Sequence, residues 1–202
     1  MKHLANFFFE VGMLKRTPRS GFQFLGSGAE SVAEHSFRTA IIGYTLAQLD
    51  GSVDVGKVLR LCLFHDIPEA RTGDLNYVNK KYVQVDEGRA VEDLARTLPF
   101  GDEYRACLQE FGAGQSPEAL LAHDADQLEM ILALKEYKDL GNRNADEWYP
   151  FALRRLRTEA ARQLAQTIWE TDSSRWWFDD DSQWWVNGTH APKPVDEPGE
   201  KC

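Results

Sequence analysis

The stretch Leu61-Cys62-Leu63-Phe64-His65-Asp66-Ile67-Pro68-Glu69-Ala70-Arg71-Thr72-Gly73-Asp74 carries an apolar helical run into an adjacent imidazole and carboxylate. Two further carboxylates, Glu69 and Asp74, follow at once. A helix that delivers a ligand-grade His-Asp pair into a polar turn has the makings of half a metal site. The other half must come from elsewhere in the chain. Upstream the sequence offers His35, and downstream Asp124 or Asp126.

Working outward, 202 residues suit one domain with a sizeable core. Hydrophobic residues make up 43% and charged residues 27%, the balance of a soluble globular protein. The net charge of -9 argues against a nucleic acid polymer as partner, because such binders need a basic stripe to displace counterions. A small nucleotide is not excluded, since a few local cations and a metal can hold it. The 3 cysteines, Cys62, Cys107 and Cys202, have no C-x-x-C spacing. They fit a reducing compartment, and neither a disulfide framework nor a thiolate zinc site. No stretch reads as a transmembrane span or a signal peptide, so the expectation is a cytoplasmic protein with no membrane partner.

Apolar spacing predicts a first helix over 3–15, with Leu4, Phe7, Phe8, Val11 and Leu14 on one side. Residues 16–28 read as a loop rich in glycine, and an arginine on such a loop, here Arg19, is usually a solvated surface residue. A long helix follows from about 31 to 49 with His35 one turn inside it, and a histidine there is more often a satisfied core residue than a ligand. The next helix spans 54–66 and buries Val55, Val58, Leu59, Leu61, Leu63 and Phe64. Pro68 permits a fresh first turn that Gly73 closes. Residues 75–85 read as irregular, and helices are expected at 86–98 and 102–111. Ser116 and Pro117 open another over 117–138, which carries Asp124 and Asp126. A last long helix is expected from 146 to 171. No strand, repeat or second domain is evident. The division is residues 1–172 as one helical domain and 173–202 as a Trp-rich, then acidic and Pro-rich extension, its last dozen residues disordered. Asn187-Gly188-Thr189 matches a glycosylation sequon, which in a cytosolic protein is coincidence.

A lone His-Asp dipeptide is weak evidence, and this chain has two, His65-Asp66 and His123-Asp124. The ensemble is more specific. Leu14-Lys15-x-x-x-Arg19, Glu30-Ser31-Val32-Ala33-Glu34-His35-Ser36, His65-Asp66-x-x-Glu69-x-x-Thr72-Gly73-Asp74 and Asp126-Gln127-Leu128-Glu129-Met130 occur in that order. Together they resemble the HD-domain metal-dependent phosphohydrolase superfamily and, within it, the compact YfbR-like 5′-deoxynucleotidase group. The resemblance covers roughly residues 5–170 and implies an all-α, single HD-domain helical bundle with a metal site between helices.

It implies His35, His65, Asp66 and Asp126 as ligands of one divalent cation, which favours Asp126 over its rival Asp124 and makes His123 incidental to the motif. Mixed nitrogen and oxygen donors favour Co²⁺, Mn²⁺, Fe²⁺, Ni²⁺ or Zn²⁺ over Mg²⁺. By the same resemblance Glu69 and Asp74 are the catalytic acid and base, their division of labour open. Arg19 becomes a bidentate phosphate contact, with Ser20 and the stretch from Leu75 to Tyr77 touching substrate. The bacterial members place a tryptophan after that arginine. Ser20 stands there instead, so sugar discrimination does not carry over.

The implied function is removal of the 5′-phosphate from a small (deoxy)nucleoside monophosphate, with a homodimer as the expected assembly. The alternative within hydrolases is a (deoxy)nucleoside triphosphate phosphohydrolase. A di-iron oxygenase would need histidines between 66 and 122, where there are none. A non-catalytic nucleotide-binding module would be expected to have lost ligands or Glu69, and all are present. The tryptophans at 148, 169, 176, 177, 184 and 185 suggest coverage of a core or a subunit interface rather than a stacking site.

Overall fold

Ser31 closes a capping box. Its hydroxyl accepts the Glu34 N–H at 3.2 Å, and the Glu34 carboxylate accepts the Ser31 N–H at 2.7 Å. This fixes the start of α3 (Val32–Asp50), and left-handed Gly51 ends it. Asp54 caps α4 (Val55–Phe64) through the Lys57 N–H. Ser116, with Pro117 at the first helical position, starts α8 (Pro117–Asp139). The protein is described by a computed structural model over residues 1–178 and 184–188. The last dozen residues, Cys202 and Thr189 of the sequon lie outside that description.

The remaining elements are α1 (Lys2–Met13), α2 (Phe22–Leu25), α5 (Glu69–Thr72), a 3₁₀ turn (Asn79–Lys81), α6 (Glu87–Ala95), α7 (Gly101–Ala113), α9 (Asn144–Leu153), α10 (Glu159–Glu170) and α11 (Trp184–Asn187). The architecture is all-α. Among the described residues the only β-type pairing is an isolated bridge between Pro18 and Ser31. No described helix is long and apolar enough to cross a membrane.

α3, α4 and α8 pack on one another at the centre, and α9 and α10 lie against α8. Leu46, Val58, Leu61, Leu128 and Ile131 fill the main core beside small residues such as Ala47, Cys62, Ala122 and Ala125. Those small side chains let the helices approach closely. A Cβ built on Gly43 of α3 would stand 2.5 Å from Cys62 Sγ of α4 and 3.6 Å from Ala125 Cβ of α8. A second core, around Phe7, Leu14, Val32, Leu94 and Tyr104, binds α1, α6 and α7 to the start of α3.

Several sequence expectations need correction. The expected helix over 146–171 is two helices broken at 154–158. The buried Asp124 carboxylate accepts the N–H of Arg157 at 2.6 Å, the N–H of Thr158 at 2.9 Å and the Thr158 hydroxyl at 2.7 Å. Thr158 in turn caps α10. The expected loop over 16–28 contains the one-turn α2. Phe8, read on the apolar side of the first helix, and Leu63, expected to be buried, are exposed. α4 stops at Phe64, so His65 caps it and Asp66 already lies in the turn. His123 has a structural place, its Nε2–H donating to the Phe111 carbonyl at 2.7 Å and its ring stacking on Phe111.

Candidate active site

His35, one turn inside α3, is completely buried. Its Nδ1–H donates to the Glu129 carboxylate of α8 at 2.6 Å, so Nε2 is the nitrogen left for other work. That Nε2 lies 3.2 Å from Asp126 Oδ1 and 3.5 Å from Asp66 Oδ2. His65 is held alike. The Cys62 carbonyl can only accept, so His65 Nδ1 donates to it at 2.8 Å. His65 Nε2 then points at Asp66 Oδ2, 3.2 Å away. Two helices, α3 and α8, and the turn that ends α4 thus converge four side chains on one point.

His35, His65 and Asp126 bring one ligand atom each within 4.8 Å of one another. Asp66 is outside that three-atom group, but its Oδ2 touches both imidazoles. Two observations favour a cation here. His65 Nε2 and Asp66 Oδ2 are buried without a hydrogen-bond partner, an arrangement that costs stability unless something else satisfies them. The site is also rich in carboxylates, with Asp66, Asp126, Glu129, Glu69 and Asp74 facing Arg19 and Arg38. The residues present therefore fit a metal ion, and His35, His65, Asp66 and Asp126 are the side chains that would hold it.

The same crowding sets the ionisation of the metal-free site. Burial opposes charge on His35, yet the hydrogen bonds to Asp126 and Glu129 outweigh it and push its pKa up to about 10. Asp126 is held far below the usual carboxylate range: burial works against this, and His35, His65 and Arg19 overcome it. Glu69 goes the other way, pushed up to about 9 by burial and by the neighbouring charges of Asp66 and Asp74. Its Oε2 is buried with no partner.

A cavity of about 410 Å³ opens on this cluster, the size of a small-ligand pocket. His65, Asp66, Asp126, Glu69, Asp74, Arg19 and Tyr77 line it, together with Phe22, Trp148 and Phe111. Arg19 is largely buried, with its guanidinium 3.7 Å from Asp66, so it is not the solvated loop residue its context suggested. His35 and Ser20 are buried and are not part of the lining. The Ser20 N–H donates to Asp74 Oδ2 at 2.8 Å, tying the Arg19 loop to the segment after α5.

Glu129 and Arg38 were missed as working parts of the site. Arg38 Nε and Nη2 both donate to Glu129 Oε1, at 2.9 and 2.6 Å. The signal was present, since Glu129 follows Asp126 by three residues and shares its helix face.

A profile of the HD domain family matches residues 11–169. The chain belongs to the HD-domain family. Among curated HD-domain relatives, the 5′-deoxynucleotidase HDDC2 of Bos taurus is 32% identical over 148 residues, covering 70% of this chain and 71% of its own. Solved structures are similar as well, two of them as follows. The PH0347 protein of Pyrococcus horikoshii OT3 has a TM-score of 0.70 at 31% identity, covering 82% of this chain and 98% of its own. A predicted metal-dependent phosphohydrolase from Magnetospirillum magnetotacticum MS-1 has 0.67 at 26% identity, covering 84% and 90%. The HD-domain assignment makes this chain one of a metal-dependent hydrolase family, and the His/Asp cluster lies within the matched span.

Proposed function

We propose that this protein is a metal-dependent 5′-nucleotidase that removes the 5′-phosphate from (deoxy)nucleoside monophosphates. The observation that carries the reading is the cluster itself: partnerless imidazole and carboxylate atoms beside Arg19, at the wall of a cavity of about 410 Å³. The relatives named 5′-deoxynucleotidase support the substrate class.

His35, His65, Asp66 and Asp126 hold one divalent ion, with Co²⁺, Mn²⁺, Fe²⁺, Ni²⁺ or Zn²⁺ preferred to Mg²⁺ by the nitrogen donors. When bound, the ion supplies a Lewis acid for the phosphoryl group and lowers the pKa of water. Arg19 neutralises and orients the phosphate through its planar fork of donors. Glu69, with a free buried oxygen at the cavity wall, and Asp74 handle the protons, one toward the attacking water and the other toward the departing ester oxygen. Asp74 also holds the Arg19–Ser20 turn in place, and Tyr77 borders the sugar and base.

The HD domain spans 1–172 with 173–202 as an extension, and the working form is a cytoplasmic homodimer. Exposed Phe37, Ile41 and Tyr44 on one face of α3 support an interface. The excess of acidic residues supports a small-molecule substrate rather than a nucleic acid polymer.

The test is phosphate release from nucleoside mono-, di- and triphosphates by protein stripped of metal and then given Mn²⁺, Co²⁺ or Mg²⁺. Inorganic phosphate from deoxynucleoside monophosphates, dependent on Mn²⁺ or Co²⁺ and lost in Asp66→Ala, is the expected result. Release of pyrophosphate or triphosphate from triphosphates alone would replace it with the triphosphohydrolase. Silence across the panel with metal bound would remove the nucleotidase reading.

A further inference from the structure

Arg155 lies just beyond α9, two helical turns from Trp148, and both line the cavity. Its guanidinium carbon sits over the Tyr77 ring, 4.6 Å from the ring centre. Its Nη1 makes a long 3.5 Å contact with Gln127 Oε1. Gln127 in turn donates from Nε2 to Asp126 Oδ2 at 3.0 Å. Arg155 makes no ion pair among the described residues, unlike Arg19, Arg38 and Arg105. A half-buried arginine resting on an aromatic ring, with four uncommitted N–H donors, is suited to recognise a pair of acceptors with its planar fork.

The position indicates which acceptors. The phosphate end of the cavity is marked by Arg19, His65 and Asp66. Arg155 is separated from Asp126 by the Gln127 amide, which puts it where the nucleoside part of a bound nucleotide extends. The aromatic rings of Tyr77 and Trp148 suit a flat base. Trp148 reaches the Arg19 loop, its ring 3.9 Å from where a Cβ on Gly21 would stand. We propose that Arg155, braced between Tyr77 and Gln127, is the base-reading residue of this site. It selects nucleotides whose base offers two adjacent acceptors, as guanine does through O6 and N7 and cytosine through O2 and N3. Adenine and thymine offer no such adjacent pair of acceptors and gain less. The proposal rests on the nucleotidase reading for its substrate class.

The experiment compares the metal-loaded wild type with Arg155→Met and Arg155→Lys on dGMP, dCMP, dAMP, dTMP and dGTP. Calorimetric binding of deoxyguanosine and deoxyadenosine is measured beside it, because nucleosides lack the phosphate. Loss of a bidentate pair is expected to lower kcat/KM for dGMP and dCMP roughly tenfold or more, and for dAMP and dTMP by less than about threefold. Lysine, a point charge without the fork, does not restore the preference. Deoxyguanosine binding weakens in parallel and deoxyadenosine binding does not. Equal losses on all four bases, rescue by lysine, or an effect confined to dGTP would overturn the proposal. If the wild type hydrolyses nothing yet binds deoxyguanosine through Arg155, the hydrolytic reading falls and the base-reading role stands.

Discussion

His35 sits between two carboxylates, Glu129 on Nδ1 at 2.6 Å and Asp126 on Nε2 at 3.2 Å. Glu129 fixes the tautomer and the ring plane, and Arg38 keeps Glu129 charged and in place. Glu129→Gln is therefore expected to weaken metal binding roughly 10–100-fold while Asp126 stays available, measured by competition with a chromophoric chelator. The protonation of His35 has a sign that can be checked. In the metal-free protein its pKa is raised to about 10 from an ordinary 6.5. That stabilisation is complete below the unfolded value and is lost as pH rises through the folded one. The thermal midpoint of metal-free protein should fall between about pH 7 and 10 from this contribution. Metal binding runs the other way, since it needs Nε2 unprotonated. Affinity is expected to rise with pH, and titration at pH 7 in buffers of different ionisation enthalpy should show protons released. No release, or affinity that falls with pH, would contradict the assigned partners.

At the scale of the element, α8 carries two aspartates two residues apart that do unrelated work. Asp126 faces the cavity, whereas Asp124 is wholly buried and binds the break between α9 and α10. Asp124→Ala leaves two backbone N–H groups and a hydroxyl without their acceptor, and is expected to cost roughly 3 kcal/mol in urea unfolding. The molecules that remain folded should keep their metal affinity. Asp126→Asn should do the reverse, with metal binding lost and unfolding little changed. Periodicity could not separate these residues or find the break, because the apolar pattern continues through it and the acceptor sits about 33 residues upstream. The start of α3 was legible, since Ser31 and Glu34 make a local capping box. Ser31→Ala is expected to cost about 1 kcal/mol by thermal melting.

Across the whole molecule, His35, His65, Asp66 and Asp126 meet only because α3, α4 and α8 pack closely. At Gly43 that approach leaves no room for a side chain against Cys62 Sγ. Gly43→Val should force the helices apart, costing roughly 1–3 kcal/mol of stability. It should also lower metal affinity, although residue 43 touches none of the four residues proposed to hold the ion. Lower stability with unchanged affinity would show that the site does not depend on this spacing.

The sequence by itself determined the all-α class and the helices with local caps, and its resemblance to the HD-domain motifs marked His35, His65, Asp66 and Asp126 as candidates. Those signals are local, or lie in motifs whose chemistry constrains residue type. Tertiary structure alone decided that Asp124 is structural, that Arg19 is buried against Asp66, that Glu129 steers His35 and that Arg155 faces the cavity. Each of these depends on which side chain meets which across helices far apart in the chain. Helical periodicity says which face is buried, but it does not name the partner that the face is buried against.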